Sequence, residues 1–208
     1  MNHFILMADI VQSSGKSQSK LIADFKTIVD EVNRSCEKEI LSPLTITLGD
    51  EFQGIAKDLK SGINLILTME EMILKYDRKF QLRYVLNEGE VETEINTKRA
   101  YEMLGTGLAH ARKQLETAKK SSGRFTITIL DHAKEFRLTK LFVLLQYFLD
   151  SWYEKDIETV NYFIAGLDYK EVAKTQGKDT SSLWRKHKSL AIEEYLVCKS
   201  LINDIVNG

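Results

Sequence analysis

Two acidic residues stand where strand-like segments of the sequence end. Asp9 closes the apolar run of residues 3–9, and Asp50 lies in the turn between residues 44–48 and 52–56, which read as a hairpin. If these strands are neighbours in one sheet, both carboxylates converge at the same sheet end. Mg²⁺ binds through one or two carboxylates plus the phosphates of a nucleotide, and a pair of such ions can drive displacement of pyrophosphate. The pair therefore predicts a Mg²⁺ or Mn²⁺ site that takes a nucleotide.

Small and polar residues lie close to both carboxylates in the sequence. Ser13, Ser14 and Gly15 follow the first strand and offer hydroxyls and amides ahead of a helix, which is typical of a phosphate cradle. Gly49 lets the hairpin turn approach phosphates closely because it has no side chain. The alternative is plain turn and cap chemistry, which fits each of these residues when it is taken singly.

The elements that must position these residues follow from the periodicity of apolar residues. Up to residue 131 the order is strand, helix, hairpin, helix, strand, helix, strand, with residues 90–95 as an extension of the sheet. This order predicts an α+β fold in which helices cover one face of a largely antiparallel sheet. After residue 131 the pattern becomes helical throughout, so we predict two domains, residues 1–133 and residues 134–208, that pack together.

Composition limits the class of protein. With 43% hydrophobic and 28% charged residues the chain can bury a core, and its longest apolar run, residues 141–149, is far too short to cross a bilayer. The first residues lack the features of a secretory signal, so we expect a cytoplasmic protein with no membrane partner. Cys36 and Cys198 have neither metal-ligand spacing nor the density of a disulfide scaffold, and we expect ordinary thiols.

The C-terminal part contains a segment with the spacing of a helix-turn-helix, residues 169–186. Ala173 falls where two helices would touch, and Gly177 falls at the turn between them. Residues 170–188 contain six cationic residues and two acidic ones, so this segment is locally basic. A recognition helix of this kind places polar and basic side chains in a major groove and on phosphates. The predicted DNA contacts are Lys178, Ser181, Ser182, Arg185, Lys186 and Lys188. A charged helical hairpin without DNA contact is the alternative.

Several stretches of residues 3–131 resemble class III nucleotidyl cyclases, in collinear order. Residues 4–14 resemble their first metal-binding strand, and residues 47–55 resemble their second metal-binding hairpin and also the GGDEF hairpin of diguanylate cyclases. Residues 82–91 and 105–115 are similar to the strand and helix that follow. As a whole the chain resembles the SatD family, small bacterial proteins that join such a domain to a helix-turn-helix.

The resemblance implies a ferredoxin-like cyclase-type sheet, metal ligands at Asp9, Asp50 and the Ile10 carbonyl, and Arg112 as the residue that stabilises transition-state charge. It also implies a head-to-tail homodimer. Two positions depart from the cyclase pattern: Ile46 stands where a base-reading Lys is usual, and Leu108 stands where an Asn precedes the Arg by four residues. Arg112 also fits a solvated position, and Glu51 fits a turn residue or a supporting group.

The sequence thus favours a cytoplasmic regulator that binds a metal-nucleotide complex through its N-terminal domain and DNA through its C-terminal domain. An active nucleotidyl cyclase or nucleotidyltransferase is one alternative. A degenerate cyclase-like domain that serves only as an assembly scaffold is the other. The nucleotide, the DNA sequence and the signal are left open by the sequence.

Overall fold

The computed structural model describes residues 1–13, 18–76 and 80–208. Five strands and eight helices follow one another along these residues: β1 Asn2–Ser13, α1 Gln18–Ser35, β2 Ile40–Ile46, β3 Glu51–Ala56, α2 Leu59–Lys75, β4 Phe80–Glu90, α3 Thr106–Ala118, β5 Phe125–Thr128, α4 His132–Ser151, α5 Ile157–Ile164, α6 Tyr169–Gln176, α7 Thr180–Ser189 and α8 Ile192–Asn207. Short 3₁₀ helices cover Glu37–Glu39 and Glu154–Asp156. The predicted α+β class is confirmed.

The strands form one sheet in the order β2-β3-β1-β4-β5. Pairing is antiparallel between β1 and β3, β1 and β4, and β2 and β3, whereas β5 joins β4 in parallel. The first four strands and two helices follow the βαββαβ order of ferredoxin-like folds, with β1 in the middle of the sheet. The two strands beside β1 therefore decide what Asp9 meets.

Helices cover both faces of the sheet, which corrects the prediction that they lie on one face. Leu6 and Ala8 of β1 share a core with α1 and α2, whereas Ile5 and Met7 belong to a second apolar cluster that includes Ala111 and Leu115 of α3. The reason lies in the run of residues 4–8, in which every residue is apolar. Such a strand presents an apolar surface on each side, and both surfaces must be covered.

The predicted extension of the sheet over residues 90–95 is also wrong. β4 ends at Glu90, and residues 91–105 contain neither helix nor strand. The segment is anchored instead by its own contacts: the Glu92 backbone N–H donates to the Leu104 carbonyl at 2.8 Å, and the Thr106 N–H donates to the Glu92 carboxylate at 3.3 Å. The Glu92 charge thereby satisfies a backbone donor at the start of α3, where helices favour anions.

The C-terminal helices pack onto the α1–α2 side of the sheet. Their buried side chains are continuous with that core, and Trp152 packs edge-on against Tyr195 at 4.9 Å between ring centroids. A buried ionic link crosses the junction, where Arg124 makes a two-point contact with Glu70 at 3.0 and 3.1 Å and reaches Asp150 of α4 at 3.4 Å. The two predicted parts thus share one core, and the boundary between residues 133 and 134 stays a prediction.

Two smaller expectations concern the thiols and the membrane. Cys36 and Cys198 are both buried and free, and burial raises the pKa of the Cys198 thiol to about 11, so this thiol stays protonated and unreactive near neutral pH. Among the described residues no helix combines the length and the apolar content needed to cross a bilayer.

Candidate functional site

Asp9 lies opposite one charged residue on each neighbouring strand. It is in register with Glu51 of β3 and with Arg83 of β4. Residues directly opposite each other point to the same face of a sheet, and Asp9 shares its face with Ile5 and Met7. This is the face that α3 covers. The fold therefore gathers three ionisable side chains under one helix.

Asp9 and Arg83 form a buried ion pair. One terminal nitrogen of Arg83 lies 3.1 and 3.0 Å from the two carboxylate oxygens of Asp9, and the two residues are only 6% and 7% exposed. Lys119, at the end of α3, is a second cation at 3.8 Å. Burial raises the pKa of Asp9, the charges of Arg83 and Lys119 oppose that rise, and the nearby carboxylates Glu51 and Asp50 add to it.

The hairpin between β2 and β3 meets β1 at the same sheet end. The Ile10 N–H donates to the carbonyl of Asp50 at 2.9 Å, and the Asp50 side chain is exposed to solvent. Gly49 has a φ of +90°, a conformation that side chains rarely adopt, and open space surrounds the position of a Cβ there. The structure thus brings the Asp50 turn beside Ile10 of β1. The prediction that Asp9 closes its strand is wrong, because β1 continues to Ser13 through its pairing with β4.

Arg112 points at the site from α3. Its guanidinium lies 2.8 Å from Glu51 and 3.4 Å from the Gln53 side chain, with 41% of the Arg112 side chain exposed. Glu51, in contrast, is buried and also accepts a hydrogen bond from the Thr47 hydroxyl at 3.0 Å. Glu51 is therefore part of the charged cluster rather than a turn residue. Arg112 is directed at the cluster and only its outer part reaches solvent.

Two glycines let α3 come close enough for these contacts. A Cβ placed on Gly107 would lie 2.5 Å from the carbonyl carbon of Gly89, a separation that real side chains do not show. Backbone of α3 and backbone of β4 therefore touch directly, and Asn87 of β4 donates to the Gly107 carbonyl at 3.1 Å. This close approach fixes the start of α3, which carries Arg112 in its middle and Lys119 directly after its last turn.

Of the predicted metal ligands, Asp9 is paired with a cation of the same chain, and the Asp50 side chain is exposed. Both Asp9 oxygens are engaged by Arg83, and the described residues contain no group of three or more His, Cys, Asp or Glu placed to hold a metal. An ion at Asp9 would share the carboxylate with a guanidinium, since each carboxylate oxygen has a second lone pair. Of the predicted phosphate cradle, Ser13 ends β1, while Ser14 and Gly15 lie outside the described residues. The metal and phosphate assignments stay predictions.

A second candidate site is built by α6, the three residues after it and α7, which we call the α6–α7 unit. The Asp168 carboxylate and the Glu171 side chain cap the start of α6 reciprocally, and the Asp179 carboxylate accepts the Ser182 N–H at the start of α7. Gly177 ends α6 with a φ of +62°. Ala173 is buried between helices. Each of these residues meets a backbone requirement of a sharp reversal between two short helices.

The side chains of α7 divide into a buried and an exposed set. Leu183 is buried and Leu190 follows it into the core, as the sequence predicts. Lys186 is held by Asp156 at 2.6 Å and Lys188 by Glu193 at 2.9 Å, while Lys178 donates to the Gln176 side chain. The solvent-facing residues of the helix are Thr180, Ser181, Ser182, Trp184, Arg185, Lys188 and Ser189. Two of the six predicted DNA contacts are therefore ion-paired within the chain.

Sequence reasoning missed several of these residues. Arg83 carries a usable signal, because it is a charged residue inside the otherwise apolar run of residues 82–86. Lys119 and Asp156 carry none, since each matters only through a residue far away in the sequence. Trp184 is a large aromatic at an exposed helix position, which a helical-wheel count of α7 could have singled out.

Comparison with known proteins gives one family and a set of similar structures. The sequence model of the SatD family matches residues 3–206. A bacterial light-regulated adenylyl cyclase shares 10% identity over 61% of this chain and 74% of its own, with a TM-score of 0.44. The catalytic core of a rhodopsin-guanylyl cyclase with converted specificity, in complex with ATPαS, shares 17% identity over 56% and 72%, with a TM-score of 0.41. A search of curated proteins finds no match.

Proposed function

We propose, from the premise that this chain belongs to the SatD family, that it is a cytoplasmic regulator whose α6–α7 unit binds DNA as a helix-turn-helix. One observation carries the proposal. The α7 helix is capped by Asp179 and held in the core by Leu183, and it presents Ser181, Ser182 and Arg185 to solvent. Polar and guanidinium groups of this kind read base edges in a major groove, and lysines around them contact phosphates.

Binding of useful strength requires two copies of the chain. A single module of this size contacts one half-site, and helix-turn-helix proteins generally act as dimers on two half-sites one helical turn apart. We therefore include a homodimer in the proposal. Its expected target is a duplex with two-fold symmetry.

The experiment is selection from randomised DNA duplexes followed by fluorescence anisotropy on the enriched sequence. Arg185→Ala is expected to weaken specific binding by about 1–3 kcal/mol, because one base or phosphate contact is lost. Arg34→Ala, on the exposed end of α1, is the matched control and should bind like the wild type. No enrichment, or equal affinity of the Arg185→Ala variant, would refute the proposal.

Nucleotide binding at the end of β1 is the second candidate function. The supporting observation is the hydrogen bond between Ile10 and Asp50, which holds the hairpin beside the cluster of Asp9, Glu51, Arg112 and Lys119. Arg112 and Lys119 are the half-exposed cations there, and they offer charge to phosphates. Because the Arg83 guanidinium is paired with the Asp9 carboxylate, we expect nucleotide to bind before any Mg²⁺ or Mn²⁺.

Thermal shift with a panel of nucleotides, each with EDTA or with Mg²⁺, tests this second function. A nucleotide at 100 times its Kd should stabilise the fold by about 2.7 kcal/mol. Arg112→Gln should abolish the shift, and Asp30→Asn on the exposed face of α1 is the control. Pyrophosphate release that Asp9→Asn abolishes would instead favour an active cyclase. The absence of any nucleotide shift would favour the scaffold.

A further inference from the structure

A basic cleft lies beside α7 and joins part of the predicted DNA-contact surface to Lys155, a residue that the helix-turn-helix prediction does not include. Its volume is about 480 Å³, and its walls come from the 3₁₀ helix Glu154–Asp156, the start of α5, the turn after α6 and one side of α7. The residues that line it are Lys155, Asp156, Thr159, Lys178, Ser182, Leu183, Arg185, Lys186 and Ser189. Two separate segments of the chain, residues 155–159 and residues 178–189, thus supply its side chains.

The charge of this cleft is strongly positive. Four of its lining residues are cationic and only Asp156 is acidic. Asp156 is itself buried and neutralised by Lys186 at 2.6 Å. Lys155 and Arg185 are exposed, and among the described residues no carboxylate lies within ion-pair distance of either. Arg185 acts on a carboxylate only at longer range, where its charge helps to lower the pKa of Asp179. Two cations that make no ion pair with the described residues therefore line a space that is large enough for a ligand.

The chemistry of the cleft favours a phosphate group. Arginine and lysine together with a hydroxyl donor are the groups that bind phosphate oxygens, and Ser182 supplies a hydroxyl between them. The volume lies within the roughly 300–1,000 Å³ of small-ligand sites, so a phosphate with its attached sugar fits. An apolar ligand does not suit it, since Leu183 is the only apolar residue among those that line the cleft.

We propose that this cleft binds a backbone phosphate of the DNA that α7 reads, with Lys155 and Arg185 as its cationic contacts. The proposal rests on the DNA-binding function proposed above and extends it to Lys155. This residue lies outside the α6–α7 unit, 14 positions before its first residue, Tyr169. The contact anchors the duplex beside α7 and fixes the direction in which α7 enters the groove. Asp156 and Lys186 lie together in the wall of the cleft. The charge of Lys186 neutralises the Asp156 carboxylate, which would otherwise repel the phosphate.

The test is the salt dependence of duplex binding by the full-length chain. Each phosphate contact contributes about 0.9 to the slope of log affinity against log salt concentration. Lys155→Gln should lower the absolute slope by about one and weaken binding similarly on all sequences, whereas Lys26→Gln on α1 should leave the slope unchanged. Circular dichroism establishes that each variant is folded, and the exposure of Lys155 makes a folding defect unexpected.

The outcomes separate this inference from the function on which it rests. If the wild type binds duplex and Lys155→Gln keeps the full slope, the cleft is not a phosphate contact, and the DNA-binding function stands. If the wild type binds no duplex, both proposals are overturned. If inorganic phosphate at constant ionic strength raises the Tm of the wild type but not of Lys155→Gln, and duplex does not compete, the cleft belongs to a free phosphate compound and the DNA contact is overturned.

Discussion

One guanidinium nitrogen of Arg83 lies within hydrogen-bond distance of both carboxylate oxygens of Asp9, at 3.1 and 3.0 Å, and both side chains are buried. The fold thus places a cation of its own chain on the residue that the sequence predicts as a metal ligand. This pairing separates the two candidate sites of the molecule. Asp9 is neutralised by Arg83, whereas Lys155 and Arg185 near α7 make no ion pair within the part of the chain that the structure describes.

Arg83→Leu should destabilise the fold by about 3–5 kcal/mol, because it leaves the Asp9 carboxylate buried without its main counter-ion. Urea unfolding at neutral pH measures the change. The double variant Asp9→Leu with Arg83→Leu should recover most of that loss, since an apolar pair of similar volume replaces the ions. If the double variant is as unstable as Arg83→Leu, the loss of stability does not come from the unpaired Asp9 carboxylate.

Asp179 should make stability depend on pH in the acid range. The Ser181 hydroxyl and the Ser182 N–H hold the pKa of this carboxyl below its ordinary value. Because the pKa is lower in the folded state, the unfolded chain binds the proton at a higher pH than the folded chain does. The contribution of Asp179 to the free energy of unfolding is therefore fully present above the ordinary pKa and is lost as the pH falls through the lowered pKa. The Tm of Asp179→Asn should therefore depend less on pH below about pH 4.

Ser181→Ala is the matched control for that measurement, because it keeps the Asp179 carboxylate and removes only its hydroxyl donor. Its pH dependence should lie between those of the wild type and Asp179→Asn. Identical pH profiles for all three proteins would show that the carboxylate does not cap α7.

Gly177→Ala should cost about 1 kcal/mol of stability, because the φ of +62° places the new side chain in the left-handed region. Chemical unfolding gives the magnitude. Gly177→Asn is the comparison, since Asn tolerates this conformation better than Ala, and it should cost less. Equal stability of the Ala variant and the wild type would contradict the turn geometry of the α6–α7 unit.

Gly107→Ala should destabilise the fold by about 1–3 kcal/mol, because the added methyl group meets the Gly89 backbone at 2.5 Å and pushes α3 off β4. Nucleotide binding should weaken in the same variant, since Arg112 and Lys119 move with α3. Gly123→Ala is the control: its nearest neighbour would lie at 3.9 Å, so the stability should stay close to that of the wild type. A stable Gly107→Ala variant would contradict the close contact between α3 and β4.

Much of the fold could be predicted from the sequence, because local periodicity marks most helices and strands. The hairpin around Gly49 and the helices α6 and α7 lie where the pattern predicts them. Periodicity did not predict which face of the sheet α3 covers, nor that residues 91–105 contain neither helix nor strand. Both depend on which face of a strand is covered, and alternation says little when, as in residues 4–8, every residue is apolar.

The candidate sites were predictable to a lesser degree. The sequence identifies Asp9 and Asp50 by type and spacing, but the partner of Asp9 is set by the β1–β4 register, which joins residues 74 positions apart. In the same way, Lys186 looks like a free DNA contact until tertiary packing sets Asp156 beside it. Charge neutralisation is a property of the fold, and local sequence carries no signal for it.

Chemical-shift perturbation by NMR on the full-length chain, titrated with the selected DNA duplex, tests the central claim most directly. We predict that the largest shifts fall on the amides of Gly177, Ser181, Ser182 and Arg185, with smaller ones at Lys155. Shifts confined to the sheet around Asp9, or no shifts at all with a duplex in excess, would contradict the assignment of the α6–α7 unit as the DNA-binding surface.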